Sequence, residues 1–251
     1  MKPVIINGHK VGPGYPPYVV AEAGVNHCGM PRVAHLMIDA AKEAGADAVK
    51  FQIFNPQKML GRTEENRELL KGLTLPAWTW EDLAYHARRE NMDFIVSVFD
   101  YGSLRRALNA DVDAVKLAHS EATNPKLIKA VARLSPVPVI MSVLGCDDDE
   151  VIDTLGTESL ILLYCIPEYP APKPDYEQMR LICTIGNHYQ VPSGFSDHTD
   201  CGSDIAAEAV QAGACMLEKH FTLDRTMQGP DHHMSFEPDE LAAYIGKARG
   251  K

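Results

Sequence analysis

One feature constrains this chain more than any other: short, apolar, β-rich runs alternate with helical segments about eight times. The runs fall at 18–23 (YVVAEA), 47–54 (DAVKFQIF), 94–99 (FIVSVF), 112–118, 137–144, 160–166, 192–198 and 214–222. Helical stretches are expected at 31–44, 79–91, 104–110, 125–134, 148–155, 175–189, 203–212 and 237–249. Pro31 fits a first helical turn, and Gly45 supplies a stop. Thr79 is expected to cap its helix, with Asp82 as a weak capping-box partner. The stretch 56–75 reads as a long loop.

Strands alternating with helices imply βαβ units and a parallel sheet. Most runs stay apolar until their C-terminal ends, as a sheet buried on both faces requires. Eight units in 251 residues is the (β/α)8 count. The predicted fold is therefore α/β: a single TIM-barrel domain over residues 1–251. A doubly wound open sheet usually has fewer strands and a Gly-rich first turn, and no G-x-G-x-x-G occurs here. The segment 3–10 (PVIINGHK), with its Asn7-Gly8 dipeptide, reads as a short β-hairpin placed to close the barrel floor.

Composition narrows the partners. The chain is 45% hydrophobic and 23% charged, which is ordinary globular composition. A net charge of −10 without a basic run argues against nucleic acid, because phosphate backbones need clustered Lys and Arg. None of the six cysteines forms a C-x-x-C pair. Cys165 and Cys215 fall in apolar runs as small hydrophobes, a usage that suits a reducing cytoplasm. The N-terminal residues lack the apolar stretch of a signal peptide, and no run is long enough to span a membrane.

In such a barrel the chemistry gathers at the C-terminal strand ends. Polar residues stand there on every run. They include Glu22, Lys50, Gln52, Ser97, Lys116, His119, Ser120, Glu121, Ser142 and Tyr169, then Ser196, His198, Glu218, His220 and Asp231. The strand period of two puts Lys50 and Gln52 on one face, and likewise Glu218 and His220. If the last two strands are neighbours, His198 and His220 end side by side. Paired imidazoles suit a divalent transition metal, with carboxylate and water completing the shell. Lysines inside apolar runs are rare unless paired, so Lys50 and Lys116 read as neutralising a phosphate or carboxylate. Ser97 and Ser142 are as well explained by backbone hydrogen bonds. His232 and His233 sit in a polar loop and read equally as solvated or site residues, while His35 and His86 fall on helices and read as surface.

Four segments, VAEAGVNHCG, AGADAVKFQ, FSDHT and LEKHFTLDRTMQGPDHHMS, together resemble the sialic acid synthase (N-acetylneuraminate synthase) family from about Tyr18 onward. The resemblance implies a barrel enzyme that condenses phosphoenolpyruvate with an aldose such as N-acetylmannosamine. The products are a 2-keto-3-deoxy sugar acid and phosphate, and the cofactor is Mn²⁺ or a similar metal. By the same resemblance, His198 and His220 match metal ligands. Glu22, Lys50, Gln52, Glu121, Tyr169 and Asp231 match the sugar and reaction centre. Ser97, Lys116, Ser142 and Ser196 match the phosphoenolpyruvate site, and Glu218 the acid beside the second ligand. The expected partners are small-molecule substrates, with homo-oligomerisation left open.

Three departures bear on that expectation. Where the family usually reads K-I-G-S-G-E, this chain has Lys116–Glu121 as KLAHSE, so His119 stands at a phosphate-binding serine. Pro167 replaces an asparagine. The sequence ends after the eighth helix, without the antifreeze-like domain that in the family supplies an arginine across a dimer. Two rival readings follow: a metal-dependent aldolase or lyase that does not use phosphoenolpyruvate, and a non-catalytic sugar-binding barrel.

Overall fold

The computed structural model describes residues 1–58 and 63–251, with the backbone alone for Glu65 and Asn66. The N-terminal hairpin pairs β1 (Val4–Ile6) with β2 (His9–Val11) in antiparallel register. Asn7 and Gly8 both take positive φ at its turn, as the Asn-Gly dipeptide predicts.

The barrel strands are β3 (Tyr18–Gly24), β4 (Ala48–Ile53), β5 (Asp93–Val98), β6 (Ala114–Leu117), β7 (Val139–Val143), β8 (Leu160–Cys165), β9 (Ser193–Asp197) and β10 (Met216–His220). All pair in parallel with their sequence neighbours, and β10 closes onto β3. The helices are α1 (Pro31–Glu43), α2 (Glu64–Gly72), α3 (Thr79–Arg89), α4 (Tyr101–Asn109), α5 (Pro125–Leu134), α6 (Asp149–Leu155), α7 (Tyr176–Tyr189), α8 (Asp204–Gln211) and α9 (Pro238–Ala248). Pro31 opens α1, and Gly45 follows it at positive φ.

Two local expectations fail for physical reasons. The stretch read as a loop at 56–75 contains α2, whose mostly polar sequence EENRELLKG has only the pair Leu69-Leu70 to bury. Residues 59–62 of that stretch lie outside the described part of the chain. Thr79 does not cap α3. Trp78 holds the cap position, Thr79 is fully buried, and the Asp82 carboxylate turns toward His35 on α1, 3.0 Å away.

The core has two parts. A larger layer packs the outer faces of the strands against the helices, with Met37, Ile38, Leu83, Val96, Ile182 and Leu241 fully buried. A smaller cluster fills the lower lumen with Val20, Ala48, Ile95, Ala114, Ile140, Ile161 and Leu163, over Val4, Ile6 and Val11 of the hairpin. Burying such branched side chains contributes about 1.5–3 kcal/mol each relative to exposure. The hairpin therefore plugs the floor, as expected. Above this apolar layer the lumen becomes charged.

Two glycines shape that transition. Gly194 lets β9 approach β10: a Cβ there would stand 2.1 Å from the Met216 carbonyl oxygen. Gly24, at φ +52°, marks a register shift between β3 and β4 just after Glu22, a bulge that re-aims the strand end.

Candidate active site

The strand register carries the polar side chains to one end of the barrel. Glu22 on β3 lies opposite Lys50 on β4 and His220 on β10. Gln52 pairs with Ser97, Ser97 with Lys116, and Ser196 with Glu218. The side chains converge on a cavity of about 530 Å³, a size typical of small-molecule sites. Glu22, Lys50, Gln52, Ser97, Lys116, His119, Ser142, Tyr169, Ser196, His198, Glu218, His220 and Asp231 all line it. Glu121 does not. Its carboxylate accepts from Asn124 Nδ2 at 2.8 Å at the start of α5, and Ser120 faces the cavity instead.

At the centre is a buried charge cluster. Lys50 Nζ lies 2.8 Å from Glu22 Oε2, 3.6 Å from Glu218 Oε2, and donates to Ser97 Oγ at 2.8 Å. Lys116 Nζ donates to Ser142 Oγ at 2.7 Å and stands 3.7 Å from Glu218 Oε1. Gln52 Nε2 donates to Glu22 Oε1, and Ser196 Oγ to Glu218 Oε1. Both serines paired with lysines thus serve the cavity rather than the backbone.

These contacts pull like groups apart. Burial pushes the Glu22 carboxyl above its ordinary range, against the opposing pull of Lys50. Burial works the same way on Glu218, but Lys116 and Lys50 outweigh it and hold that carboxyl down at about 2. Burial lowers Lys116, and Glu218 only partly offsets this. Lys50 is also opposed by burial, yet Glu218 and Glu22 together hold it above its ordinary value. The result is one carboxylate fixed as an anion beside another positioned to take or give a proton.

Beside the cluster stand the two histidines, ring centroids 5.8 Å apart. His198 Nδ1 donates to the Ile166 carbonyl at 2.8 Å, which leaves Nε2 unprotonated and facing Tyr169 OH at 3.3 Å and Ser196 Oγ at 3.2 Å. Tyr169 stacks on His198 at 4.2 Å. The Ala171 N–H to His198 carbonyl bond, 2.8 Å, pins the loop that carries Tyr169. His220 Nδ1 is buried without a hydrogen-bond partner. Burial lowers both imidazoles, His220 further because His198 and Lys50 add to it. Both are therefore neutral near pH 7, the form that binds metal.

Outside the lumen, Lys219 and Asp197 form an ion pair of 3.1 Å, and Lys219 Nζ lies 4.2 Å from the centre of the Phe236 ring. Since they alternate with His220, Glu218, His198 and Ser196, this pair ties β9 to β10 directly behind the site.

Sequence reasoning missed several lining residues. Leu69 and Leu70 reach the cavity from α2, and Phe99, Cys165 and Pro230 complete the wall. The Leu-Leu pair in an otherwise charged segment was the available signal for the first two. Burial pushes the Cys165 thiol up to about 11. His232 proves structural: it is buried, with Nδ1 2.7 Å from Thr222 Oγ1 and Nε2 3.2 Å from Cys28 Sγ, while His233 is exposed.

The NeuB family model matches residues 37–250. The chain belongs to the NeuB family. It is 34% identical to N,N'-diacetyllegionaminic acid synthase of Legionella pneumophila over 97% of this chain and 75% of that protein. It is 34% identical to the spore coat polysaccharide biosynthesis protein SpsE of Bacillus subtilis over 95% of this chain and 68% of that protein. A crystal structure of N-acetylneuraminic acid synthetase from Leptospira borgpetersenii, in complex with citrate, superposes with a TM-score of 0.91 at 31% identity, covering 98% of this chain and 87% of that one. Named NeuB-family relatives are synthases of sialic-acid-type sugars, and this chain is a carbon–carbon bond-forming enzyme of that kind. Among the described residues, no helix is long and apolar enough to cross a membrane.

Proposed function

We propose that this domain, residues 1–251, condenses phosphoenolpyruvate with an aldose to give a 2-keto-3-deoxy sugar acid and phosphate. The observation that carries this reading is the buried Lys50–Glu22–Glu218–Lys116 cluster facing the cavity. Two lysines buried beneath an open cavity suit a compact polyanion, which would replace Glu218 as their partner.

The reaction follows from these groups. Lys50 and Lys116, with Ser97, Ser142 and Ser196, hold the phosphate and carboxylate of phosphoenolpyruvate. His119, whose Nδ1 is buried without a partner, extends that set where the family has a serine. The enol carbon attacks the aldehyde carbon, and positive charge develops at C2 of the pyruvyl unit. The Glu218 anion lies close enough to stabilise that charge. Water adds at C2, with Glu22 as the group that accepts its proton. The C–O bond to phosphate then breaks. Gln52, Tyr169 and Asp231 border the space left for the sugar.

The donor set fits a divalent metal, Mn²⁺ by the family's habit. His198 and His220 are neutral, adjacent imidazoles, and a buried His220 nitrogen has no protein partner. When bound, the metal supplies Lewis-acid polarisation of the aldehyde oxygen.

The test is phosphate release from phosphoenolpyruvate by the purified chain, with a panel of aldoses and N-acetylated hexosamines, with Mn²⁺ and after chelation. Release that requires both an aldose and the metal is expected. No release across the panel with several divalent metals overturns the reading. Metal-dependent cleavage of a keto-sugar acid without phosphoenolpyruvate turnover assigns the aldolase alternative instead.

A further inference from the structure

A second set of metal-type ligands lies outside the barrel, where α1 packs on α3. On α1, His35 and Asp39 stand one turn apart. On α3 and its C-cap, Asp82, His86 and Glu90 repeat the same i, i+4 spacing. The two ladders face each other with imidazole opposite carboxylate. His35 Nε2 is 3.0 Å from Asp82 Oδ2, His86 Nε2 is 2.6 Å from Asp39 Oδ1, and the two rings are 4.9 Å apart. One ligand atom each from Asp39, His86 and Glu90 lies within 4.8 Å of the others. The His35, His86, Asp39 and Glu90 side chains are half-buried rather than free on the surface, as the sequence suggested for the histidines.

Two observations ask for a cation here. The first is hydrogen-bond chemistry. His35 Nδ1 faces the Pro31 carbonyl at 2.9 Å, which can only accept, so Nδ1 carries a proton. A neutral His35 then points the lone pair of Nε2 at the Asp82 carboxylate, acceptor against acceptor. Only a second proton or a metal ion relieves that. The second is charge. Three carboxylates converge, and among the described residues no Lys or Arg pairs with Asp39, Asp82 or Glu90, while the Glu90 carboxylate has no partner at all. Histidine ring nitrogens oriented by a backbone carbonyl, beside unneutralised carboxylates, are the ordinary surroundings of a bound transition metal.

We propose that this α1–α3 face binds a divalent metal of the zinc class through Asp39, His86 Nε2 and Glu90, with water in the remaining position and the His35–Asp82 pair alongside. Imidazole in the set disfavours Mg²⁺ and Ca²⁺, which prefer oxygen ligands. Tetrahedral zinc holds neighbouring ligand atoms roughly 3.3 Å apart, so small side-chain rotations bring the three into place. The ion would clip together the two helices that flank β4 and the excursion carrying Leu69 and Leu70 to the cavity mouth. This site is independent of the proposed function.

Counting bound zinc in the full chain tests it. The protein is stripped with chelator, dialysed against Zn²⁺ and analysed for metal per chain. Wild type should hold two equivalents if the barrel mouth also binds metal. H198A/H220A should keep one, and adding H86A to that background should remove it. In the wild-type background H86A alone should lose one equivalent, and D39N, which keeps side-chain shape, should weaken that zinc about tenfold or more. If H86A and D39N hold the same zinc with the same affinity as wild type, the proposal is overturned. A wild-type chain with one equivalent that H86A removes and H198A/H220A keeps supports this site while failing the metal role at the mouth.

Discussion

The two ends of the barrel handle buried charge in opposite ways. At the floor, the Asp93 carboxylate is almost fully buried and meets three donors: Tyr18 OH, His9 Nδ1 and Asn7 Nδ2. Every lone pair that matters is used, and the hairpin is latched down by the result. At the mouth, two lysines share two carboxylates at distances out to 3.7 Å, and imidazole nitrogens of His119 and His220 are buried without partners. Buried polar groups are normally satisfied, and those left short concentrate where a ligand completes them. The floor is built to stay folded. The mouth gives up stability to keep its charges available.

Exchanging a charge for a neutral side chain at each end breaks this contrast if it is false. The largest effect is expected from Lys116→Met. Burial already disfavours its ammonium, and Glu218 keeps Lys50 as a partner. Phosphate release should fall about 10²–10³-fold, the usual loss for one preorganised charge-stabilising group. Urea unfolding should show stability held or raised by about 1 kcal/mol. A large loss of stability would mean the mouth cluster is structural after all. Asp93→Ala should do the reverse. It strands the buried Tyr18 hydroxyl and two further donors, so unfolding free energy should fall by about 3 kcal/mol while the folded enzyme's kcat/KM stays within a factor of two.

The same contrast explains what was legible in the sequence. The barrel could be read because eight apolar runs repeat a local pattern, and the floor hairpin because Asn7-Gly8 dictates its turn. The lining could be read because polar residues interrupt β-rich runs at their C-terminal ends: Lys50, Lys116 and His220 have little other reason to be there. Glu121 misled because it lies next to the strand end in sequence, while a short turn and Asn124 rotate its carboxylate away. Leu69 and Leu70 were missed because α2 is too polar to announce a helix, and its position over the mouth depends on tertiary contacts with Val25 and Phe54. The α1–α3 ladder was unreadable for the same reason. Its i, i+4 spacings are visible on each helix, but nothing local says that the two faces meet.

A pH titration sharpens the comparison at the mouth. His27, which follows β3, is 1% exposed, and burial lowers its imidazole to about 4. Its Nδ1 accepts from the Gly29 N–H, and its Nε2 has no partner. The unfolded chain takes up a proton there near pH 6.5, and the folded one only near 4, so unfolding is favoured as pH falls through that window. Wild type should lose about 2 kcal/mol from this group between neutral pH and pH 5. His27→Gln should be less stable at pH 7 but flatter across the window, read by urea midpoints at matched ionic strength. Equal slopes in the two proteins would show that His27 is solvated.

The smallest effect tests the floor one donor at a time. Asn7→Gly keeps the positive φ that the hairpin turn needs but removes the 2.9 Å bond to Asp93 Oδ1. Asp93 retains Tyr18 and His9, so the loss should be about 1 kcal/mol, the ordinary worth of a single partly buried hydrogen bond. Combined with Tyr18→Phe, the change should exceed the sum of the two single losses, because Asp93 then depends on His9 alone. Strict additivity would mean that the three donors act independently and that the floor, like the mouth, tolerates a carboxylate with unfilled lone pairs.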